Sequence, residues 1–546
     1  MNHNLKTKFD LCVIGSGPAG IITVLEYVRV NPEKTVLLVE YGFPGQQVKN
    51  DLDDSIVIKN LVNHHDPYEC TNKGLGGTSL TWGGRCVMYD EIDFLKDRPV
   101  INGECTWDVS LFEEVKKHVS ATAVYFECGD PVFNVNEIPE FAGSRIAENF
   151  KEGDVTDSLL ERWSMPTRFG SRYRKELEDC KSITLLEGYE ARDFTEPDAN
   201  GNVSSLTIRN VKNGEVTTVE ANSFVLAAGA QESTRILLRN TKLFKNLGFT
   251  PPALGKYYQG HVFGKIAGVK FYGDPKKTDY GYLRNPDGTY IRRRFHFTQE
   301  FMLKKDLLNT IIWIDNPLYH DYRHKNGAMS FMYLAMITPV LKNMLAPPAI
   351  AHSITKGETK TVGKHIWNFL KDLPMSVITP AKIFSQRYLV KRKLPGVFLY
   401  NPMNEYSLNF HAEQVPVEQN RMELDQDGET LILHYDLMDA DVESVIKSHD
   451  EIDKYLRSIN CGEVVYWYPK EELAKAVRNV SKDGIHQIGT TRIADTAQEG
   501  VVDRDMKLYG TNNVYVCSSS AFPTSGHANP TFFLGAFAVR LANFLK

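Results

Sequence analysis

Near the start of the chain, Gly15-Ser16-Gly17-Pro18-Ala19-Gly20 has the spacing of a pyrophosphate-binding turn. The first glycine allows the tight turn, the second lets the backbone approach a pyrophosphate, and the third lets helix and strand pack closely. A helix opening at this point directs unpaired N–H groups and the positive end of its dipole at phosphate charge. Glu40 lies twenty residues beyond Gly20, where a carboxylate accepts hydrogen bonds from ribose hydroxyls and repels a 2′-phosphate. The chemistry is dinucleotide binding, with NADP disfavoured; the turn by itself leaves FAD and NAD open. No second fingerprint follows a strand, and a later apolar strand runs into Ala227-Ala228-Gly229-Ala230, small residues suited to close packing on a nucleotide. Both features favour FAD. His64, His65, Asp66 and Cys70 match no closed zinc spacing, so a polar loop is expected there and no metal. A GxSxG elbow and a P-loop are both missing, which argues against an α/β serine hydrolase and a P-loop nucleotidase.

The turn needs a strand before it and a helix after it, and the sequence supplies both. Asp10–Ile14 is a short apolar run of the kind a buried parallel strand requires, and Ile21–Val30 follows as a helix closed by Asn31-Pro32. Val36–Val39 reads as the second strand, ending at Glu40. Residues 42–90, rich in Gly and Asn, read as a long loop, which in a compact domain is usually functional. Residues 200–222 read as a hairpin with turns at Asn200-Gly201 and Asn213-Gly214. Ser223–Gly229 reads as another buried strand leading into a helix at Ser233–Arg239. The middle of the chain mixes alternating strands, Glu405–His411 and Leu431–Tyr435, with a helix at Asp439–Leu456. Strand-like text returns over 500–520, and a helix from Thr531 to Phe544 closes the chain.

With 546 residues the chain can bury the cores of two domains. Its net charge of −5 offers no footprint for nucleic acid. Eight scattered cysteines without a CxxC pair, after a polar start with no export signal, read as reduced thiols in a cytoplasmic protein. The most apolar interior stretch, Asn326–Leu341, is too short to span a bilayer and is interrupted by Pro339, with Pro347 and Pro348 beyond. A core or lid element fits it better than peripheral membrane contact. The basic cluster Lys382, Arg387 and Lys391–Lys393 reads as a solvated face, and the role of residues 326–395 stays open.

Several motifs in order resemble the glucose-methanol-choline (GMC) oxidoreductase family. Gly74-Leu75-Gly76-Gly77-Thr78-Ser79-Leu80-Thr81-Trp82-Gly83-Gly84, followed by Asp93-Phe94, is similar to its flavin-contacting loop. Phe224–Leu238 resembles its second signature. The C-terminal block is the most specific: His486-Gln487-Ile488-Gly489-Thr490-Thr491-Arg492, Gly500–Asp503, Asn513–Val516, Ser520–Thr524 and Asn529-Pro530-Thr531. Glu413–Pro416 and Asn420-Arg421 place the resemblance nearer to pyranose oxidase and the bacterial sugar-oxidising members.

The resemblance implies an α/β fold in which a Rossmann-type FAD-binding domain is assembled from discontinuous segments. An α+β substrate domain on a mostly antiparallel sheet is inserted between them. The expected division is 1–95, 185–262 and 470–546 for the cofactor, with 96–184 and 263–469 for the substrate. His486 matches the catalytic histidine and Asn529, 43 residues on, the family's second His or Asn. The imidazole would take the hydroxyl proton and the amide would align the substrate oxygen while hydride passes to flavin. Gly15, Gly17, Gly20, Glu40, Gly77, Thr78, Ser79, Trp82, Ala228, Gly229, Ser518, Pro530 and Thr531 are the expected cofactor contacts. Pro530 would open a helix whose positive end faces the flavin. His527 is expected to touch flavin, substrate or the interior. Thr81 stands where some sugar-oxidising relatives link FAD through a histidine, so noncovalent FAD is expected. The implied function is oxidation of a hydroxyl of a sugar, glycoside or cyclitol, with oxygen or another acceptor taking the electrons. Alternatives are an aliphatic, aryl or sterol alcohol, or a flavin-binding protein without turnover. No transmembrane segment is expected, and an oligomer is possible.

Overall fold

The computed structural model describes residues 7–44, 55–165, 167–338 and 360–545. The opening strand Lys8–Ile14 pairs in parallel with Val36–Glu40 on one side and with Val216–Leu226 on the other. Ile183–Glu187 extends the first side and Val514–Val516 the second, also in parallel. The chain therefore winds first to one side of its opening strand and later to the other. In such sheets the crevice beyond the strand ends at this crossing point is the ligand site.

Val216–Leu226 is a single eleven-residue strand, where the sequence suggests a hairpin arm followed by a separate strand. Its first half alternates buried and exposed residues and pairs antiparallel with Ser205–Asn210, which pairs in turn with Tyr189–Phe194. Its last three residues are fully buried between two parallel neighbours. One strand serves both pairings because its side-chain pattern changes part-way along. Of the strand-like text over 500–520, only Val514–Val516 forms a strand.

The second layer is an antiparallel sheet in the order Gly462–Tyr466, His261–Phe271, Glu405–Glu413, Thr310–Asp315, Phe295–Phe297, Val155–Thr156. Helix Asp439–Ser458 buries Val442, Val445, Ile452 and Leu456 in the core beneath it. The fold is thus α/β, with a doubly wound nucleotide-binding sheet and an inserted domain on an antiparallel sheet.

The closing helix Pro530–Phe544 is apolar almost all round, and Phe532, Phe533 and Phe537 are fully buried. Phe533 and Phe537 join a ring cluster with Tyr89, Phe94, Trp107 and Phe522; Phe94 and Trp107 stack at 3.9 Å. Helices Val109–Lys116 and Val119–Phe126, expected on the substrate side, pack on this helix instead, because their apolar faces meet its phenylalanines. This packing holds the N-terminus of the closing helix at the crevice. Of the apolar stretch beginning at Asn326, Gly327–Ile337 is a helix with Met329, Tyr333 and Met336 buried. Pro339, Pro347 and Pro348 lie outside the described residues. No helix among the described residues is long and apolar enough to cross a membrane.

Candidate active site

At the end of the opening strand, Gly15 has φ +98°, and a Cβ there would lie 2.6 Å from the Ala227 carbonyl oxygen. A Cβ on Gly20 would come within 2.0 Å of the Gly15 oxygen, so these two positions exclude any side chain. Gly17 differs, because a Cβ there would meet nothing within 4 Å and would project into open space. Gly17 also caps helix Pro18–Val30 without a side-chain hydrogen bond, so the first N–H groups of the helix stay unpaired by any cap. The closing helix likewise starts at Asn529 without a side-chain cap.

Both helix starts open on one cavity of about 500 Å³. Its walls include Gly15, Gly17 and Glu40 at one end, Gly77, Thr78, Ser79, Trp82, Ala228 and Gly229 along it, and His486, Ser518, Asn529, Pro530 and Thr531 at the other. This size lies within the roughly 300–1,000 Å³ of small-molecule and cofactor sites. An open glycine face and two uncapped helix N-termini suit a pyrophosphate and an electron-rich ring, so the residues present fit FAD. Glu40 lines this space while both carboxylate oxygens hold the local backbone. One accepts from Ser16 N (3.1 Å) and Oγ (2.5 Å), the other from Gly42 N and Gly74 N, each at 2.8 Å. Glu40 therefore ties the glycine turn to the loop carrying Gly74–Gly84. Thr81 lines the cavity, and the Trp82 indole donates to the Thr167 carbonyl at 2.9 Å.

At the far end, His486 and Asn529 meet, with Asn529 Nδ2 2.7 Å from His486 Nε2. A chain of hydrogen bonds assigns the tautomer. His261 Nε2 faces the Ser525 carbonyl at 3.3 Å and so carries the proton, which leaves His261 Nδ1 to accept. His486 Nδ1 lies 3.0 Å from that atom and is therefore the donor. His486 Nε2 is left as a lone pair, accepting from Asn529, and that atom can take a proton from a substrate. Asn529 Oδ1 is buried with no partner among the described residues.

Asp483 is fully buried behind the two rings. Its Oδ2 accepts from His261 N at 2.6 Å and lies 3.5 Å from His486 Nδ1 and 3.6 Å from His261 Nδ1. Its Oδ1 accepts from Ile485 N at 2.9 Å and His486 N at 3.2 Å. Burial pushes this carboxyl up, but the neighbouring His486 and His261 outweigh it and hold it well below the usual range. His411 stacks on His261 at 4.2 Å and donates Nδ1 to the His527 carbonyl at 2.6 Å. Burial, reinforced by the neighbouring His261, Arg85 and His486, holds His411 well below an ordinary imidazole; burial likewise lowers His261.

His527 does not line the cavity. It is fully buried, with Nε2 2.6 Å from Asp90 Oδ2 and Nδ1 3.4 Å from Arg294. Burial and Arg294 bring it down to about 4, so its ring is neutral at pH 7. Next to His411, Arg85 and Arg292 each lie against the Trp313 face and pair with buried Glu161, and Arg85 also lines the cavity. Burial raises the Glu161 carboxyl, but Arg292, Arg85 and Arg294 outweigh it and hold it at about 2. The groups His261/His411/His486 and Asp90/His296/His527 each bring possible ligand atoms within 4.8 Å of one another. The nitrogens described above are engaged with carbonyls, an amide, a carboxylate, a guanidinium and one another, as in a proton network.

Sequence reasoning missed His261, His411, Asp483 and Arg85. Asp483, three residues before His486, could have been noticed as a carboxylate able to reach back to the imidazole. His261 and His411 carry no local signal. They arrive through the antiparallel pairing of their strands, in which His261 faces Glu413 and Phe263 faces His411.

Residues 416–538 match the family model described as GMC oxidoreductase. No curated protein matches the chain in sequence. Among solved structures, pyridoxine 4-oxidase from Mesorbium loti is similar at TM-score 0.51 and 14% identity, covering 98% of this chain and 99% of that one. Formate oxidase is similar at TM-score 0.52 and 14% identity, covering 99% and 98%. At such identity these likenesses show a shared fold. The chain therefore carries a GMC oxidoreductase C-terminal domain on a fold shared with these two proteins, and it is an FAD-dependent oxidoreductase acting on CH–OH groups.

Proposed function

We propose that this enzyme oxidises a ring hydroxyl of a sugar, glycoside or cyclitol to a carbonyl, nearer in type to pyranose oxidase and bacterial sugar-oxidising enzymes. The observation that carries the alcohol chemistry is the pairing of the His486 Nε2 lone pair with Asn529 at the mouth of the closing helix. Gly15, Gly17, Gly20, Glu40, Gly77–Ser79, Trp82, Ala228, Gly229, Ser518, Pro530 and Thr531 hold or frame the cofactor. Bound FAD supplies the hydride acceptor. His486 Nε2 takes the hydroxyl proton, while Asn529 Nδ2 turns from His486 to the substrate oxygen and fixes its direction. Asp483 faces the positive charge that then forms on the His486 ring, and His261 keeps that ring in its tautomer. The N-terminus of the closing helix favours negative charge at the cavity end it faces.

The sugar reading rests on the motif resemblance, and Arg85 in the cavity wall adds a charged donor edge that suits hydroxyl groups. FAD is held without a covalent link, since Thr81 offers hydroxyl chemistry where relatives use a histidine. Anaerobic titration of the yellow protein tests the substrate class. Bleaching by sugars or cyclitols, and not by aliphatic or aryl alcohols, is expected; the reverse order rejects the sugar assignment. Denaturation followed by filtration should release all the flavin, and colour retained on the chain would contradict noncovalent binding.

A further inference from the structure

The helices Val362–Lys371 and Met375–Tyr388 are inside-out. Their polar residues His365, Asn368 and Ser376 are buried, while Ile366, Leu370, Met375, Val377 and Ile378 are each more than two-fifths exposed and Trp367 is 66% exposed. This orientation is locked. His365 Nδ1 pairs with Ser330 Oγ and its Nε2 with the His320 carbonyl, both at 3.1 Å, and its ring stacks on Tyr333 at 4.0 Å. Asn368 donates to the Tyr322 carbonyl at 2.8 Å, and Ser376 donates to the Phe369 carbonyl at 3.0 Å. Turning the first helix over would bury its apolar face only by stripping His365 and Asn368 of their partners, and Ser376 ties the second helix to the first. Trp367, Met375 and Ile378 also line a cavity of about 1,330 Å³, walled opposite by Tyr280, Tyr282 and Phe398, so the apolar surface continues inward.

Charge follows the same segment. Residues 360–393 hold eight basic side chains against one acid, Asp372, a net +7 in a chain of net −5. Lys364, Lys371 and Lys382 stand exposed beside the apolar face. We propose that this helix pair docks on an anionic lipid bilayer surface, its apolar side chains entering the headgroup–acyl boundary and its lysines meeting lipid phosphates. Exposed apolar residues flanked by lysine, with a tryptophan at the boundary, are what an interfacial helix needs. A second copy of the chain fits poorly, because a two-fold contact would bring +7 against +7. Each lysine near an anionic surface raises partitioning roughly fivefold.

Co-sedimentation of the holoenzyme with phosphatidylcholine vesicles, with and without 30% phosphatidylglycerol, tests the proposal. Binding is expected on the anionic vesicles, weakened by salt, and at least tenfold lower for both K364E/K371E/K382E and W367S/L370S. These positions are exposed, so unchanged thermal melts should show that the variants fold. No binding to anionic vesicles, or equal binding by the variants and the parent, overturns it. So does a dimer, seen by light scattering, that W367S/L370S dissociates, since a second copy would then be the occupant.

Discussion

Replacing Asp483 with asparagine removes a carboxylate charge lying 3.5 Å from His486 Nδ1, on the side of the ring opposite the proton-accepting nitrogen. Once His486 holds the substrate proton, that ring is positive. Two unit charges at this separation attract by roughly 5 kcal/mol at an effective dielectric constant near 20. Rearranged hydrogen bonds recover part of this, and an opposite charge so close usually shifts a proton equilibrium by about 1–3 pKa units. The expected loss is therefore roughly 1.5–4 kcal/mol of transition-state stabilisation, or about 10- to 1,000-fold in kcat. The asparagine also cannot satisfy both sides of its pocket, because each carboxylate oxygen accepts from backbone N–H groups. A stability loss of about 1–3 kcal/mol should accompany the kinetic one. Anaerobic stopped-flow measurement of flavin reduction separates the two, since it counts only folded, flavin-loaded enzyme at a temperature below both melts. Reduction by D483N at the parental rate, across pH 6 to 9, would refute the claim that Asp483 stabilises a protonated His486.

Gly17→Leu fills the open space in front of the first helix, and Gly15→Ala places a Cβ 2.6 Å from the Ala227 oxygen in a left-handed backbone. Both should yield largely colourless protein, read as a fall in the ratio of 450 to 280 nm absorbance. Phe533→Ala empties a fully buried site touching Tyr89, Phe94 and Phe522, and should lower stability by about 3–5 kcal/mol in urea melts. His527 is held at about 4 in the fold, below an unfolded value near 6.5, so its contribution is complete above about pH 6.5 and is lost as pH falls toward 4. The loss should reach roughly 3 kcal/mol, and His527→Gln should flatten that part of the stability–pH curve; an unchanged slope would exclude His527 as its source.

The glycine turn, its flanking strand and helix, and the closing helix were legible because their requirements are local. A φ of +98° at Gly15, an apolar run of period two or 3.6, and a proline opening a helix are all written within a few neighbouring residues. His486 and Asn529 were legible too, through the motifs around them, although their meeting at 2.7 Å depends on the whole C-terminal block folding back. His261 and His411 were not, because they reach His486 only through the register of two strands far apart in the chain. Glu40 sits where the turn predicts, yet only the folded loop decides that its carboxylate ties Ser16 to Gly42 and Gly74. The basic cluster near 390 read as a solvated face, and composition alone cannot say otherwise. Which side of helix Val362–Lys371 turns outward was decided by buried partners for His365 and Asn368, supplied by Ser330, His320 and Tyr322. Local pattern specifies elements, because backbone sterics and periodicity act over short range. The proton network and the exposed apolar face exist only where tertiary contacts satisfy polar groups distant in sequence.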